Sequence, residues 1–402
     1  MPMMSVVVPV YNSAGFLQQC LDSILGQSLN DFELICVDDG SKDNSLEILH
    51  DYATKDSRLK VLTRKNDGKG AAEARNLGLS NAKGKYIMFL DSDDFFALDM
   101  FERLVTKAEE TSSDVVICRA DCFDERYQKI FLPYRSINFK YLPEKEVFSV
   151  DDCADYIFQI ANNVVWNKLF RRDLIVENNL TFEAIPISDD QYIPCLALVL
   201  AKRISVIDEA FVKYRVNIGT SQVDNYHKHP SSGYAASYSI VKKMREWGVY
   251  EKLKRSYLNM EIALMREYFD RMLSFDKLQF LYDEYKNEVF PMLGAENLPE
   301  NFFYDSRLEE WYKLVTSETL ENILFAAARG YGNRWLTGIL RFSVPYEKIA
   351  RASRVVLMGK NIVGRYWYAQ LLLSEYCDVV AWVDDANSIS KELEYDVVLV
   401  AK

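Results

Sequence analysis

Several features that would place a chain in a special class are missing from this 402-residue sequence. No apolar run approaches the roughly 18 residues that a membrane-spanning helix needs. The N-terminus, MPMMSVVVPVYN, has neither the basic stretch nor the small-residue cleavage site of a signal peptide. The seven cysteines form no CxxC pair, so we expect reduced thiols and neither a disulfide framework nor a zinc site. These absences together predict a cytoplasmic protein.

An excess of basic residues is also missing. Lysine and arginine number 48 against 59 aspartates and glutamates, which gives a net charge of -11. Because nucleic-acid-binding proteins carry a basic face, we expect no nucleic-acid partner. One local exception is the arginine-rich stretch 326–354, with Arg334 and Arg341 in RWLTGILRF. This stretch is compatible with a peripheral contact to anionic lipid at the inner face of a membrane, and equally with a solvated helix face.

The first hundred residues alternate short apolar runs with helical patterns. SVVVPV (5–10) is a continuous apolar run, as in a strand that is covered on both faces. The next strands are expected at FELICVDD (32–39), RLKVLTRK (58–65) and YIMFLD (86–91). A fifth strand is expected at 113–120. This βαβ alternation predicts an α/β fold with a mostly parallel sheet and helices on both faces.

The rest of the chain divides by pattern into two further parts. We predict a first domain at 1–235, a helical region at 236–349, and a partial Rossmann-like βαβ unit at 350–402. The last unit ends directly after a strand, so we expect it to be truncated. It contains VVLMGKNIVG, in which Asn361 stands where the dinucleotide fingerprint has its second glycine. We therefore expect a Rossmann-like fold that does not bind a dinucleotide.

Polar clusters follow three of the four early strands, in PVYN, VDDGSKDNS and LDSDD. The carboxyl ends of parallel strands share one edge of a sheet, where ligands bind in open α/β folds. Each cluster alone could be a turn or a helix cap, but three on one edge favour a binding site. The Asp-x-Asp pattern suits Mn²⁺ or Mg²⁺ held together with phosphate oxygens.

The ordered motifs VVVPVYN, VDDGSKDNS, ARNLGL and KGKYIMFLDSDD resemble those of the family 2 glycosyltransferases, which are inverting enzymes with a nucleotide-sugar-binding GT-A domain. The resemblance is strong over residues 4–120 and weaker to about 222. It implies a nucleotide pocket and a metal motif in this chain. The residues that it assigns to the nucleotide are Pro9, Tyr11, Asn12, Asp39, Arg75 and Asp91, and the metal ligand is Asp93.

Three later segments also look like the family: VWNKLFRRDLI (165–175), ISDDQYI (187–193) and YRVNIGTSQ (214–222). The resemblance implies that Asp190 is the catalytic base. If 190–201 is a helix, Asp189 lies near its N-cap, so we assign capping or support to Asp189. The other supporting residues are Lys168, Tyr214 and Arg215. Asn217 stands where many relatives have a histidine.

The expected function is therefore transfer of a sugar from a nucleotide-diphosphate donor, a UDP-sugar, with Mn²⁺ or Mg²⁺. The acceptor would be a hydroxyl of a glycan or of a lipid-linked molecule in bacterial surface polysaccharide synthesis. Two alternatives stay open: a nucleotidyltransferase, and a non-catalytic nucleotide-sugar-binding or scaffold protein. The sequence leaves the sugar, the linkage and the oligomeric state open.

Overall fold

The computed structural model describes most of the chain. The described residues are 1–66, 68, 71–131, 136–218, 227–272, 274–323, 349–359, 363–364, 367–368, 370–371, 377–390 and 393–401. The basic stretch with Arg334 and Arg341 lies outside them apart from its last residues, and Asn361 lies outside them as well. The described chain divides into two compact units, one of residues 1–225 with 232–260 and one of residues 226–231 with 261–402. The boundaries predicted at 235 and 349 stay a prediction.

The first unit contains a ten-stranded mixed sheet with helices between its strands. Its strands are β1 Met4–Val10, β2 Phe32–Asp38, β3 Leu59–Thr63, β4 Tyr86–Phe89, β5 Phe95–Phe96, β6 Val115–Asp124, β7 Lys129–Phe131, β8 Val147–Phe148, β9 Lys168–Arg171 and β10 Ile204–Val216. The helices that begin in this unit are α1 Ala14–Leu25, α2 Ser45–Lys55, α3 Ala72–Asn81, α4 Met100–Thr111, α5 Arg172–Glu177, α6 Tyr192–Leu200, α7 Ser232–Glu246 and α8 Tyr250–Asp270.

The main path of the sheet runs in the order β3-β2-β1-β4-β9-β6-β10-β5. Strands β3, β2, β1 and β4 pair in parallel, and β9 is antiparallel to both β4 and β6. Strand β6 therefore runs in the same direction as β4, and β10 is parallel to β6. The predicted mostly parallel sheet is confirmed. The strand expected at 113–120 is β6, and it extends further than expected, to Asp124.

Burial explains why the apolar runs are strands. All seven residues of β1 and all seven of β2 are buried, as expected where helices cover both faces of a parallel sheet. The chain reverses its direction of travel across the sheet at β1, because β2 and β3 lie on one side of it and β4 on the other. Such a switch point leaves a crevice at the carboxyl ends of β1 and β4, where ligands bind in this class of fold.

A glycine brings α3 close to β1. A Cβ atom added at Gly78 would lie 2.3 Å from Cγ1 of Val7, so only glycine permits this approach. Arg75 precedes Gly78 by three residues and therefore lies on the same face of the helix. Because α3 connects two parallel strands, its first turn lies at the carboxyl edge of the sheet. The close packing at Gly78 thus places Arg75 at the edge where the strand ends meet.

The second unit is helical in its first part and contains a small sheet in its last part. Its elements are the end of α8, α9 Phe275–Glu284, a π-helical segment Tyr285–Val289, α10 Phe290–Leu293, α11 Ser306–Ser317, β11 Arg354–Met358, β12 Asp378–Val383 and β13 Val397–Val400. An aromatic cluster of Phe269, Tyr285 and Trp311 packs among the helices. The three strands are parallel in the order β12-β11-β13, which confirms the separate parallel sheet after the helical region. No helix among the described residues is long and apolar enough to span a bilayer.

Candidate active site

The polar clusters after β1, β2 and β4 meet at one edge of the sheet, as predicted. Val10 pairs with Asp38 at the ends of β1 and β2. On the opposite side of β1, the backbone N–H of Leu90, just after β4, donates to the backbone carbonyl of Val7 in β1. The segments after the strands are joined directly. The hydroxyls of Ser13 and Ser92 lie 2.7 Å apart, which ties the turn after β1 to the turn after β4.

The turn after β1 carries three of the residues assigned to the nucleotide. Pro9 is buried in the strand, and Tyr11 is 47% exposed, so its ring is available to a planar ligand. Asn12 has a φ of 50°, a left-handed conformation that asparagine tolerates better than most residues. Its Oδ1 accepts a hydrogen bond from the backbone N–H of Lys42 at 2.7 Å, so the amide holds the loop after β2 in place.

Asp39, expected to contact the base or ribose, is buried and already engaged by two side chains. Its Oδ1 accepts from the guanidinium of Arg64, and its Oδ2 accepts from Nδ2 of Asn66 at 2.8 Å. Sequence analysis missed both partners. They follow β3, which is parallel to β2 and therefore opens on the same edge. The polar run RKN after that strand was the signal that could have identified them.

Arg75 joins two parts of the site that are far apart in the sequence. Its Nη1 donates to Oδ2 of Asp189 at 2.8 Å, and its Nη2 donates to Oδ1 of Asp91 at 2.8 Å. The guanidinium is buried and lies 5.5 Å from the ring of Phe182. Burial by itself would lower the pKa of Arg75, but Asp189, Asp91 and Asp190 raise it above its ordinary value. Arg75 therefore stays charged and links the end of β4 to the loop before α6.

The three acids of LDSDD have different environments. Asp91 is partly exposed and paired with Arg75. Burial and the neighbouring Asp91 raise the pKa of Asp93 to about 6, and no described side chain donates a hydrogen bond to its carboxylate. Asp94 is 1% exposed, and burial with Asp93 and Asp91 raises its pKa well above the ordinary value. The motif thus offers Asp91 and Asp93 to a ligand, while Asp94 faces the interior.

The two acids of SDDQY also differ in environment. Asp189 is 3% exposed and paired with Arg75, while Asp190 is half-buried. Burial raises the pKa of Asp190 to about 7, with Arg75 acting in the opposite direction and Asp189 adding to the rise. In the described part of the chain, no side chain donates a hydrogen bond to the carboxylate of Asp190. Its carboxylate is therefore available to accept a proton.

The predicted capping role of Asp189 is wrong. Helix α6 begins at Tyr192, its N-cap is Gln191, and no side chain accepts a hydrogen bond from the first turn. Asp189 lies two residues before that cap and turns inward to Arg75 instead. The charge of the buried guanidinium outweighs the weaker attraction of a helix end for a carboxylate.

Lys168 is buried in β9 and bonds to the chain immediately before that strand. Its Nζ donates to the backbone oxygens of Asn162 and Val164 at 2.6 and 2.8 Å, and to Oδ1 of Asn167 at 2.9 Å. Burial lowers its pKa to about 7. Its three donors are satisfied by residues 162–167, which agrees with support of this loop.

The Tyr-Arg pair at the end of β10 is directed into the protein. Tyr214 stacks on Trp166 with ring centres 5.4 Å apart. Arg215 is 4% exposed and bonds to the turn that contains Asp93 and Asp94. Asn217 has a φ of 60° and donates to Asp124 at 2.7 Å, so it faces β6. The contacts of Tyr214, Arg215 and Asn217 hold the C-terminal end of β10 in place.

The carboxylates of Asp91 and Asp93 are oxygen donors of the kind that a divalent cation prefers. No group of three or more metal-ligating side chains stands together among the described residues. Magnesium is usually held by one or two carboxylates, with phosphate oxygens of the substrate and water completing its shell. Asp93, with Asp91 two residues before it, offers that kind of oxygen donor at the edge of the sheet.

Comparisons with known proteins identify the family of the chain. The sequence pattern of the family described as glycosyl transferase family 2 matches residues 5–175. The glycosyltransferase GlyG of Streptococcus pneumoniae is 34% identical over 221 residues, which cover 54% of this chain and 72% of that protein. The chain belongs to glycosyl transferase family 2. This family membership confirms the resemblance seen in the motifs.

Two further similarities concern a longer relative of the family and a solved fold. A poly(ribitol-phosphate) beta-glucosyltransferase of Bacillus spizizenii is 29% identical over 304 residues, which cover 75% of this chain and 44% of that protein. The chain thus spans less than half the length of this relative. The structure of S. aureus TarS 1-349 in complex with UDP-GlcNAc has a TM-score of 0.50 and 21% identity, and the match covers 84% of this chain and 89% of that one. This similarity shows that the fold is the same.

Proposed function

We propose that this family 2 protein is an inverting glycosyltransferase with Asp190 as its catalytic base. One observation carries the proposal: Arg75 bridges Asp91, at the proposed nucleotide site, and Asp189, next to the proposed base. Two motifs about a hundred residues apart are thereby held at a single site. Such an arrangement suits a reaction in which a donor and an acceptor must meet.

Asp190 would take the proton of the acceptor hydroxyl while its oxygen attacks the anomeric carbon of the donor. The bond from that carbon to the diphosphate breaks on the opposite face, so the configuration inverts and a nucleoside diphosphate leaves. A base with a pKa of about 7 combines a useful ionised fraction at neutral pH with enough basicity to accept the proton. One carboxylate is sufficient, and no covalent intermediate is needed.

The donor would be a UDP-sugar. Its base would lie against Tyr11 and Asp39, and its ribose near Asp91. Asp93 would hold Mn²⁺ or Mg²⁺, which when bound neutralises charge on the departing diphosphate. Support for uridine comes from TarS, of the same fold and crystallised with UDP-GlcNAc.

The acceptor would be a hydroxyl of a glycan or of a lipid-linked molecule in bacterial surface polysaccharide synthesis. The relative that acts on poly(ribitol-phosphate) supports a polymer of the cell surface as the class of acceptor. A lipid-linked acceptor would place the enzyme at the inner face of the membrane. The basic stretch proposed for that contact lies largely outside the described residues.

The two alternatives predict other features. A nucleotidyltransferase is expected to have a glycine-rich loop with arginine after its first strand, where this chain has PVYNSAG. A non-catalytic protein would not need a half-buried carboxylate without a side-chain donor, and Asp190 is one. Both observations favour the transferase.

The test is a panel of nucleotide sugars incubated with the chain and Mn²⁺ or Mg²⁺, with release of free nucleotide as the measurement. We expect release from one or more UDP-sugars, its loss in excess EDTA, and its return on addition of Mn²⁺. Full release in excess EDTA would contradict the metal assignment. Release from no sugar nucleotide, with UDP still bound, would favour the non-catalytic alternative.

A further inference from the structure

The guanidinium of Arg215 bonds to the turn that carries the proposed metal ligand. Its Nε donates to the backbone carbonyl of Asp93 at 2.6 Å. Its own backbone N–H donates to Oδ1 of Asp94 at 2.7 Å. The two bonds hold two successive residues of the turn from one residue of β10. The direction of the Asp93 side chain therefore depends on Arg215.

The other nitrogens of the guanidinium fix Arg215 itself. Nη1 donates to Oε2 of Glu125 after β6, and Nη2 donates to Oε1 of Gln19 on α1 at 2.7 Å. A planar guanidinium presents its donors at fixed angles, so bonds to three separate segments define its position and its orientation.

Aromatic rings enclose the same guanidinium. Its central carbon lies 4.9 Å from one ring centre and 5.3 Å from two others, and these rings belong to Phe16, Phe95 and Phe123. The side chain is 3% exposed. With its bonds made inside the protein and its faces covered, Arg215 has no accessible group left for a phosphate of the donor.

We infer that Arg215 is a positioning residue that orients the carboxylate of Asp93 toward a divalent cation. This inference rests on the proposed function, because it assumes that Asp93 binds the cation. It assigns the arginine of the Tyr-Arg pair a task away from the substrate. Mutation of a residue that hydrogen-bonds to a metal ligand and orients it typically lowers metal affinity by roughly 10- to 100-fold.

The experiment measures Mn²⁺ binding in the presence of UDP by the loss of the free-ion EPR signal, which requires no turnover. Arg215→Lys keeps the positive charge, but a single ammonium cannot reach Asp93, Glu125 and Gln19 together. We expect its Mn²⁺ affinity to fall by about tenfold or more. The matched control is Arg172→Lys, since Nε of Arg172 also donates to a backbone carbonyl, that of Gly84 before β4, at the opposite edge of the sheet. The control should bind Mn²⁺ as the wild type does.

A second variant covers the case in which Arg215→Lys does not fold. The double change Gln19→Ala and Glu125→Ala removes side chains at exposed and half-exposed positions and leaves Arg215 in place without its two outer partners. We expect a smaller fall in Mn²⁺ affinity in this variant. If a folded Arg215→Lys protein or the double variant bound Mn²⁺ with wild-type affinity, the role inferred for Arg215 would be overturned and the proposed metal site would still stand. Failure of the wild type to bind Mn²⁺ with UDP would overturn the proposed metal site and the inference with it.

Discussion

At the scale of single residues, the acids of the site are distinguished by their surroundings. Asp91 and Asp189 are both bound to Arg75, while Asp93 and Asp190 receive no hydrogen bond from a described side chain. Asp91 and Asp189 join two parts of the site through Arg75, and Asp93 and Asp190 keep carboxylates that no described side chain engages. Aspartates of one motif thus have different surroundings, because only Asp91 in LDSDD and only Asp189 in SDDQY pair with Arg75.

Replacing Asp190 by asparagine should remove the base with little change in shape. We expect transfer to fall by roughly 10² or more, while binding of the sugar nucleotide survives. Asp189→Asn keeps an oxygen that can accept from Arg75, so its rate should fall less. Transfer rate and donor affinity would be measured for both. A dead Asp189→Asn with an active Asp190→Asn would reverse the assignment.

The rate should also depend on pH through Asp190. Burial raises its pKa to about 7, and the charged groups acting on it include Arg75, Asp189 and Asp91, with Lys168 nearby. Because the base must be ionised, kcat/KM should rise with pH and reach half its plateau near pH 7. Asp189→Asn removes a neighbouring negative charge and should move this midpoint to lower pH. A profile that is flat from pH 5 to 8 would exclude Asp190 as the base.

The same raised pKa predicts how stability changes with pH. The folded protein holds the Asp190 proton up to about pH 7, while the unfolded chain releases it near its ordinary value of 3.8. Ionisation of Asp190 therefore lowers the free energy of unfolding as pH rises from about 4 to about 7. Asp190→Asn should be more stable than the wild type at pH 8 and similar to it at pH 4. Melting temperatures of both proteins at the two pH values would check this.

At the scale of elements, the site depends on how closely α3 packs against β1. Gly78→Ala would place a methyl group against Val7, and overpacking of this kind costs about 1–3 kcal/mol. Moving the helix would also displace Arg75, so the rate should fall together with the free energy of unfolding. Urea unfolding and the transfer assay would measure the two effects.

Gly15→Ala is the matched control for this helix glycine. It lies in α1, and a Cβ atom there would have no heavy atom within 4 Å. Since alanine favours a helix over glycine, this variant should be as stable as the wild type or slightly more so. A loss in Gly15→Ala equal to that in Gly78→Ala would show that contact with Val7 is not the cause.

At the scale of the whole molecule, the described residues form one large mixed sheet and one small parallel sheet, and we expect only the first to bind a nucleotide. Just after β11 of the small sheet, a Cβ atom on Gly364 would lie 1.8 Å from the carbonyl oxygen of Gly359. Nε1 of Trp382 donates to that same oxygen at 3.0 Å. The glycine pair is thus used in packing within this unit.

The full chain should accordingly bind UDP but not NAD or NADP. Asn361 occupies the position at which the dinucleotide fingerprint needs a glycine for close approach of pyrophosphate. Calorimetric titration of the full chain with the three nucleotides would test this, with UDP as the positive control. Micromolar binding of NAD or NADP would show that the last unit is a dinucleotide site.

The sequence by itself predicted five strands of the first unit (β1 to β4 and β6), the mostly parallel arrangement of the sheet and the family, but not the five other strands (β5 and β7 to β10) that the structure adds. Continuous apolar runs and the order of the motifs are local features of the chain, so they can be recognised in the sequence alone. For the same reason Asp93 and Asp190 could be proposed from their motifs alone.

Only the tertiary structure decided which side chains meet. The pairing of Arg75 with Asp91 and Asp189, of Asp39 with Arg64 and Asn66, and of Arg215 with the turn after β4 joins segments that are far apart in the sequence. The capping role expected for Asp189 failed because a buried guanidinium, brought there by α3, attracted its carboxylate more strongly than the nearby helix end. Long-range contacts of this kind depend on sheet order and helix packing, which no local pattern in the chain records.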